Sequence, residues 1–218
     1  MATFHYKRMI SDFFDRLPYE AFATTDMIVA YIVEMTEEPE DKVRNTVNVN
    51  LSRLEQEDVL SRISRGLYCK RIKTAFGDYA PSKDIIYARK LINDGGEVIG
   101  YETGLSFMNH IGLISQVPRK STISSNNYAL SIPKDIGIEV HKPRTQINSD
   151  NYRYLQLLDA IDRLENAPVD VDEPGRIIRE NAVHAGLEPD QLILYARYYY
   201  PVKTLKATID IILGGMNY

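Results

Sequence analysis

The first third of the chain carries apolar residues at helical spacing, in three segments separated by prolines. In residues 6–17 apolar side chains recur every three or four positions before Pro18, which predicts a first helix. Thr24 or Thr25 can cap a second helix that runs to residue 33. After Pro39, a third helix is predicted over residues 40–58, because four acidic residues near its start suit the positive end of the helix dipole.

The third predicted helix has one apolar face and one unusually polar face. Its apolar stripe is about 80° wide and consists of Val43, Val47, Leu51 and Leu54. The opposite side presents Lys42, Asn45, Asn48, Val49 and Ser52, with Arg44 and Arg53 nearer its edges. Asparagine and serine are poor helix formers that surface helices usually avoid. Because asparagine can pair with adenine, and serine and arginine reach bases or phosphates, this face is typical of a recognition helix.

A basic β-hairpin is predicted directly after this helix, in residues 59–68. Two short apolar segments flank a Ser-Arg-Gly turn, and Arg62 and Arg65 lie near the tip. Two helices joined by a short turn and followed by a basic hairpin are typical of a winged helix-turn-helix. The alternative is a small helical domain whose hairpin closes the core or binds protein.

The rest of the chain predicts a small α+β module followed by a helical region. Residues 71–81 have the Gly and Pro content of a linker. Helices are predicted at 82–93 and 103–111, and strands at 120–125, 128–132 and 136–141. Further helices are predicted at 152–164, 175–185, 189–199 and 202–213. We interpret the cluster Tyr195, Tyr198, Tyr199 and Tyr200 as core packing, with a partner surface as the alternative.

The predicted fold class is therefore α+β, in two domains. An N-terminal winged helix-turn-helix DNA-binding domain is expected at residues 1–75. The small α+β module and the C-terminal helical region are expected to form a second domain at residues 76–218.

Composition favours a cytoplasmic protein. No apolar run approaches the roughly 20 residues that cross a bilayer, and the first residues mix charged and apolar groups too finely for a secretory signal. We therefore expect no membrane association. Cys69 is the only cysteine, which rules out a disulfide within the chain and fits a reducing compartment.

Charge is unevenly distributed along the chain. The formal net charge of −4 argues mildly against a nucleic-acid-binding protein. Residues 41–73, however, hold eight basic and four acidic side chains, a charge of +4 that leaves −8 for the remainder. Such a basic segment favours nucleic-acid binding, although a solvated charged face explains the charge equally well. The residues expected to contact DNA are Lys42, Arg44, Asn45, Asn48, Ser52, Arg53, Arg62 and Arg65.

The sequence contains no motif that indicates catalysis. Gly104-Leu105-Ser106 lacks the second glycine of a nucleophile elbow, because Met108 stands there. The four histidines do not pair with cysteine at metal-ligand spacing, and no glycine-rich phosphate-binding loop occurs. We therefore expect that the protein is not an enzyme and that it has no catalytic residues, no cofactor and no metal.

The remaining polar residues are interpreted as structural. Asp170, Asp172 and Glu173 are expected to be solvated in a loop rather than to bind a cation. Three residues are expected to bond the backbone at helix starts and turns, namely Thr103, Ser106 and Asn109. Cys69 follows the basic hairpin, which could lower its pKa, but a half-buried structural thiol is the default interpretation.

Residues 101–118 resemble the block Y-x-T-G-x-S-x-x-N-x-x-G-L-x-T-Q-x-P of a family related to the AbiEi antitoxins of abortive-infection systems. The matching residues are Tyr101, Thr103, Gly104, Ser106, Asn109, Gly112, Leu113, Gln116 and Pro118. Ser115 replaces the usual threonine. Residues 51–54 and 65–68 are also similar to the helix and wing of that family, and residues 198–201 to its C-terminal part.

The resemblance implies an antitoxin of a type IV toxin–antitoxin system that represses its own operon. Residues 76–218 would then be the antitoxin-like domain. The implied partners are double-stranded DNA of its own promoter and a nucleotidyltransferase toxin encoded nearby. The antitoxin would act on this toxin either by direct contact or only functionally, without binding it. The chain lacks the Gly-Ser and paired aspartates of a nucleotidyltransferase, so it is not expected to be the toxin. The alternatives are a winged-helix protein-interaction module and a stand-alone transcription factor without a toxin.

Overall fold

A computed structural model describes residues 2–18, 21–75 and 77–214. The chain divides into two compact units, Met1–Ile86 and Tyr87–Tyr218. Both units combine helices with small sheets, so the predicted α+β class is confirmed.

The first unit consists of three helices and a three-stranded antiparallel sheet, followed by a two-stranded hairpin. In chain order its elements are α1 Ala2–Arg16, β1 Phe22–Thr24, α2 Thr25–Thr36, α3 Glu40–Gln56, β2 Leu60–Ser64, β3 Leu67–Lys70, β4 Ile72–Thr74 and β5 Gly77–Tyr79. The sheet has the order β1-β3-β2. Strand β1 is only three residues long and was not predicted, because hydrophobic alternation cannot be recognised over so short a segment.

Local capping explains where the helices of this unit begin and end. The Thr24 hydroxyl accepts a hydrogen bond from the Met27 amide at 3.2 Å, as predicted for the start of α2. At the end of α3, Asp58 has a φ of 59°. The amide of Val59 donates to the Leu54 carbonyl, and that of Asp58 donates to the Glu55 carbonyl. These two bonds form a Schellman motif, which turns the chain directly from α3 into β2.

The core of the first unit lies between α1, α2, α3 and the sheet. The predicted stripe of α3 is fully buried, because Val43, Val47, Leu51 and Leu54 are each at most 1% exposed. Residues of α1 and α2 pack against this stripe, among them Ile10, Phe14, Ile28 and Ile32. The helical periodicity of the sequence thus identified the buried face of α3 correctly.

The prediction of a linker at residues 71–81 is wrong. Strands β4 and β5 pair antiparallel in this segment, with Ile72 opposite Tyr79 and Thr74 opposite Gly77. The Gly and Pro content that suggested a linker belongs to the turn and end of this hairpin. Residue 76 lies outside the described residues.

The second unit combines a small mixed sheet with a group of helices. Helix α4, Lys83–Ile92, spans the division between the units, and the remaining elements are β6 Asn93–Asp94, β7 Glu97–Val98, β8 Gly100–Thr103, α5 Gly104–His110, β9 Ser121–Ser125, β10 Ile138–His141, α6 Tyr152–Arg163, a 3-10 turn Leu164–Asn166, α7 Pro174–His184, α8 Pro189–Tyr199 and α9 Val202–Ile212. Strand β9 is central, antiparallel to β8 and parallel to β10.

Two strand predictions in this unit need correction. The strand expected at residues 128–132 is absent, because the chain turns directly after β9 and the Leu130 amide donates to the Asn127 carbonyl within that turn. Conversely, β8 was not predicted as a strand. Its residues precede α5 directly, and only their pairing with β9 defines them as a strand. The predicted helices of this unit agree with the observed ones to within about two residues at their ends.

A buried carboxylate links three elements of the second unit. Asp159 of α6 accepts hydrogen bonds from the hydroxyls of Tyr101 at 3.1 Å, Thr103 at 2.9 Å and Tyr200 at 2.8 Å. Burial raises the pKa of Asp159, while these three hydroxyls and the Arg144 charge act in the opposite direction. The interaction therefore joins β8, α6 and the end of α8.

Two polar residues of the segment 101–118 bond to backbone. Ser106 donates to the Thr103 carbonyl and accepts from the Thr122 amide, and Asn109 donates to the Ile114 carbonyl at 3.0 Å. These contacts confirm the structural interpretation of Ser106 and Asn109. The interpretation of Thr103 was wrong, because its hydroxyl bonds the Asp159 side chain rather than backbone.

The four clustered tyrosines divide into two groups. Tyr200 is 8% exposed and donates to the Leu155 carbonyl, which agrees with core packing. Tyr198 and Tyr199 are exposed, and the ring of Tyr199 stacks on that of Tyr195 at a centroid distance of 5.9 Å. Core packing is therefore wrong for the exposed pair, and the partner surface stays a hypothesis for it.

We expect Gly100→Ala to lower the free energy of unfolding by about 1–3 kcal/mol or more, because an added methyl overpacks this site. A Cβ at Gly100 would collide with the Leu91 carbonyl oxygen and lie 2.8 Å from that of Ser124. Gly137→Ala is the matched control, since its Cβ would meet only the Arg119 carbonyl, at 3.5 Å. Urea denaturation followed by circular dichroism measures both variants, and equal stabilities would contradict the close backbone approach at Gly100.

Candidate nucleic-acid interface

The outer face of α3 carries three polar side chains in one stripe. Asn45, Asn48 and Ser52 lie within about 60° of one another around the helix axis, and all three are exposed. Their side chains make no hydrogen bond within the described part of the chain. Three hydrogen-bonding groups on one helix face are therefore available to a partner.

Two of the cations predicted to contact DNA are occupied by ion pairs. Arg44 lies between Asp26, at 2.6 Å, and Glu40, at 2.7 Å. The hydrogen bonds to Glu40 and then Asp26 raise the pKa of the Arg44 guanidinium. Lys42 pairs with Glu38 at 2.8 Å. The charges of Lys42 and Arg44 are thus largely compensated at the start of α3.

The other three predicted cations are exposed and uncompensated. Arg53 lies near the end of α3, and Arg62 and Arg65 lie on the hairpin formed by β2 and β3. None of the three forms an ion pair with another described residue. The arginines that remain available for phosphates therefore cluster at the end of α3 and on the hairpin, rather than at the start of α3.

A β-bulge orients the hairpin side chains. Leu60 and Ile63 are both buried, although residues three apart in a regular strand point to opposite faces. The pairing register of β2 with β3 shifts between Arg62 and Ser64, and this shift turns Ile63 inward. Arg62 consequently faces solvent.

The hairpin tip lies close to the start of α2. Gly66 has a φ of 73°, and its carbonyl accepts a hydrogen bond from the Thr25 amide at 2.9 Å. The turn between β2 and β3 is therefore held rigidly to the helical part of the unit. The exposed Arg65 directly precedes Gly66.

Sequence reasoning missed two features of α3. Asn50 is fully buried, and its side-chain amide donates to the Thr46 carbonyl at 2.8 Å while Oδ1 has no partner. Val49 was placed on the outer face but not assigned a role, and it is 49% exposed between the polar residues. Its helical position already predicted this exposure.

The structure supports no metal site among the described residues, where no group of three or more His, Cys, Asp or Glu side chains could hold a cation. Asp170 is exposed, as expected, but its carboxylate accepts hydrogen bonds from the Ser115 amide at 3.0 Å and from its hydroxyl. Glu173 pairs with Arg176 at 2.9 Å. Within the described ranges, no helix has the length and apolar character needed to cross a membrane.

Cys69 of β3 is a buried structural thiol. It is fully buried, and burial raises its pKa to about 11, which the charge of Arg71 offsets only in part. The hypothesis that the basic hairpin lowers this pKa is therefore not supported. The thiolate, which is the reactive form, is scarce at neutral pH.

We expect iodoacetamide to alkylate Cys69 in the folded protein on the order of 100-fold more slowly at pH 8 than in the urea-unfolded chain. Burial and the raised pKa both withdraw the thiolate from the reagent. Mass spectrometry of timed samples measures the two rates, with free cysteine in urea as the control for the reagent. Similar rates in the folded and unfolded protein would contradict the buried thiol.

The exposed polar face of α3 and the arginines of the hairpin thus form the candidate interface. Chemically, this surface offers amide and hydroxyl groups in the middle and positive charge at one end. A comparison with protein-family models finds no family that matches the chain, and a comparison with curated proteins finds no significant sequence match.

Proposed function

We propose that the first unit is a winged helix-turn-helix that binds double-stranded DNA, and that the chain is a transcriptional regulator of its own promoter and not an enzyme. The observation that carries the proposal is the unpartnered polar stripe of α3 next to a hairpin with uncompensated arginines. A stripe of Asn45, Asn48 and Ser52 lowers helix propensity without any hydrogen bond inside the described part of the protein. Such a face is explained by interactions with a partner.

The element order supports the proposal. Helices α2 and α3 are separated by the three residues 37–39, and the hairpin of β2 and β3 follows α3 immediately. In helix-turn-helix proteins the second helix of such a pair enters the major groove. The short strand β1, paired with β3, ties the hairpin to the helices and completes the sheet expected beside a winged helix.

The side chains of α3 suit the edges of base pairs. Asn45 and Asn48 can each pair with adenine through two hydrogen bonds, and the exposed Val49 can contact a thymine methyl group. Ser52 can donate to a base or a phosphate. Within the proposal, these residues read sequence, and an A·T-containing operator is expected.

The arginines supply the sequence-independent part of the affinity. Arg53, Arg62 and Arg65 would bind phosphates, releasing counterions and making the affinity depend on salt. Lys42 and Arg44 contribute less, because Glu38, Asp26 and Glu40 compensate their charges. The net charge of −4 is compatible with this role, since the basic segment is local.

We further propose that the protein is the antitoxin of a type IV toxin–antitoxin system, on the resemblance of residues 101–118 to AbiEi-related antitoxins. The buried Tyr101 and Thr103 and the backbone bonds of Ser106 and Asn109 explain physically why such a block supports a fold. Co-expression with an adjacent nucleotidyltransferase gene tests this role. Rescue of growth supports it, and persistent toxicity favours a stand-alone regulator.

The DNA-binding proposal is tested by a gel-shift titration on the upstream region of the gene, with random DNA as competitor and salt varied. Specific, salt-sensitive retardation supports the regulator. Absence of binding even at low salt would contradict the DNA interface and favour a winged-helix module that binds protein.

We expect Arg62→Ala and Arg65→Ala to weaken binding to operator and random DNA alike. Removing one arginine–phosphate interaction should reduce the slope of log K against log salt by roughly 1. Arg8→Ala is the control, because Arg8 is an exposed arginine of α1, near Asp12, and does not belong to the hairpin. Fluorescence anisotropy at several salt concentrations gives the slopes. Slopes that match the wild type would remove the hairpin from the interface.

Asn48→Ala is expected to reduce the preference of the protein for operator DNA over random DNA. If Asn48 pairs with a base through two hydrogen bonds, its replacement costs about 1–3 kcal/mol on the operator and little on random DNA. Gln56→Ala, an exposed change at the C-terminal end of the same helix, is the control. Competition titrations measure the ratio of the two affinities. An equal weakening on both DNAs would show that Asn48 does not read sequence.

A further inference from the structure

The second unit contains a groove of the size of a small-molecule site. Its volume is about 560 Å³, and it lies between the chain after β10, the helix α6 and the start of α9. Ligand sites in proteins typically enclose about 300–1,000 Å³. Neither the DNA interface nor the segment 101–118 as a whole accounts for this groove.

The lining of the groove is almost entirely polar. Four cations line it, namely Lys142, Arg144, Arg163 and Lys203. Pro143 is the one apolar residue among those that line it, and the imidazole of His141 is the one aromatic ring. Cations and hydrogen-bonding groups make up most of the lining, so a ligand with a negative charge and polar groups fits it better than an apolar one. The lining therefore favours a small, hydrophilic, negatively charged ligand.

Arg144 is positioned by interactions within the unit. Its Nη2 donates to Asp162 at 2.7 Å, and its guanidinium lies over the ring of Tyr200 at 4.6 Å. The hydroxyl of Thr204 also donates to Asp162. Arg144 thus has a fixed orientation, but Asp162 compensates most of its charge.

The other three cations are less compensated. Neither Lys142, Arg163 nor Lys203 forms an ion pair with a described residue. Lys142 lies over the ring of Tyr128 at 5.4 Å. The pKa of Glu139 is lowered mainly by its hydrogen bond with His141, at 2.9 Å, and the charges of Lys120 and Arg163 contribute less. Three positive groups on the rim therefore lack a direct counterion, which an anionic ligand would supply.

Hydrogen-bond acceptors occupy the inner part of the groove. Asp159 and Asp162 line it and are each 16% exposed at the side chain. The hydroxyls of Tyr101, Thr103 and Tyr200 fix the orientation of the Asp159 carboxylate. Fixed carboxylates suit the hydroxyl groups of a ligand, whereas they would repel a second anionic group.

We propose that this groove binds a sugar phosphate, with its phosphate on Lys142, Arg163 and Lys203 and its hydroxyls toward Asp159 and Asp162. One anionic end and one hydroxylated end match the charged rim and the carboxylate interior. A nucleic-acid backbone fits less well, because successive phosphates along the groove would meet these carboxylates. This site is independent of the DNA interface proposed for the first unit.

Isothermal titration of the full chain tests the proposal with ribose 5-phosphate, inorganic phosphate and ribose as probes. We expect ribose 5-phosphate to bind about tenfold more tightly than inorganic phosphate, because the hydroxyls add hydrogen bonds, and ribose alone to bind more weakly still. Absence of ribose 5-phosphate binding at millimolar concentration would overturn the proposal. Equal binding of ribose 5-phosphate and inorganic phosphate would reduce the groove to a simple anion site and overturn the sugar assignment.

Variants distinguish this groove from general charge effects. Lys203→Gln and Arg163→Gln should each weaken ribose 5-phosphate binding about tenfold. Lys206→Gln removes the same charge from the same helix α9 outside the groove and should leave binding unchanged. Circular dichroism confirms that each variant is folded. Equal weakening in all three variants would contradict a site at this groove.

DNA titrations separate this proposal from the one above. Lys203→Gln should leave operator affinity at the wild-type value, since the groove does not contact DNA in our proposal. If Lys203→Gln weakened DNA binding and left ribose 5-phosphate binding unchanged, the sugar-phosphate proposal would be overturned, and the groove would be part of a nucleic-acid surface. If the wild-type protein did not bind DNA, only the DNA-binding proposal for the first unit would be contradicted, and the sugar-phosphate proposal would be unaffected.

Discussion

Burial of one stripe of α3 is the constraint on which the first unit depends. Val43, Val47, Leu51 and Leu54 are at most 1% exposed, and burial of each such side chain stabilises the fold by about 1.5–3 kcal/mol. This packing fixes the rotation of α3 about its axis, so Asn45, Asn48 and Ser52 face solvent. The poor helix propensity of asparagine and serine is tolerated because the buried stripe supplies the stability.

A carboxylate has the corresponding role in the second unit. Asp159 joins β8, α6 and the end of α8 through three hydroxyl groups, two of which belong to the segment 101–118. A largely buried charge is stabilised only when it is well hydrogen-bonded. The Asp159 carboxylate therefore requires the hydroxyl groups of Tyr101, Thr103 and Tyr200. Since Asp159 also lines the groove, one cluster both holds the fold together and shapes a cavity.

The two surfaces differ in how much of them was visible in the sequence. The polar outer face of α3 follows from residues three and four positions apart, and the structure places all its predicted members on the outside or at its edge. The pairs Lys42–Glu38 and Arg44–Glu40 are four residues apart and could have been predicted from the sequence. Only the pair Arg44–Asp26 depends on the packing of α2 against α3. Residues of β10, α6 and α9 line the groove, and no local sequence pattern connects these segments.

The sequence by itself determined the positions of the helices, the cap of α2 at Thr24 and the buried face of α3, because periodicity and capping are local. Only the tertiary structure decided the short strands β1, β4, β5 and β8, since two to four residues become a strand through pairing with a partner. It also decided the bulge in β2, the burial of Cys69 and the hydroxyl groups around Asp159. Each of these depends on interactions between residues distant in sequence, which propensity and spacing do not encode.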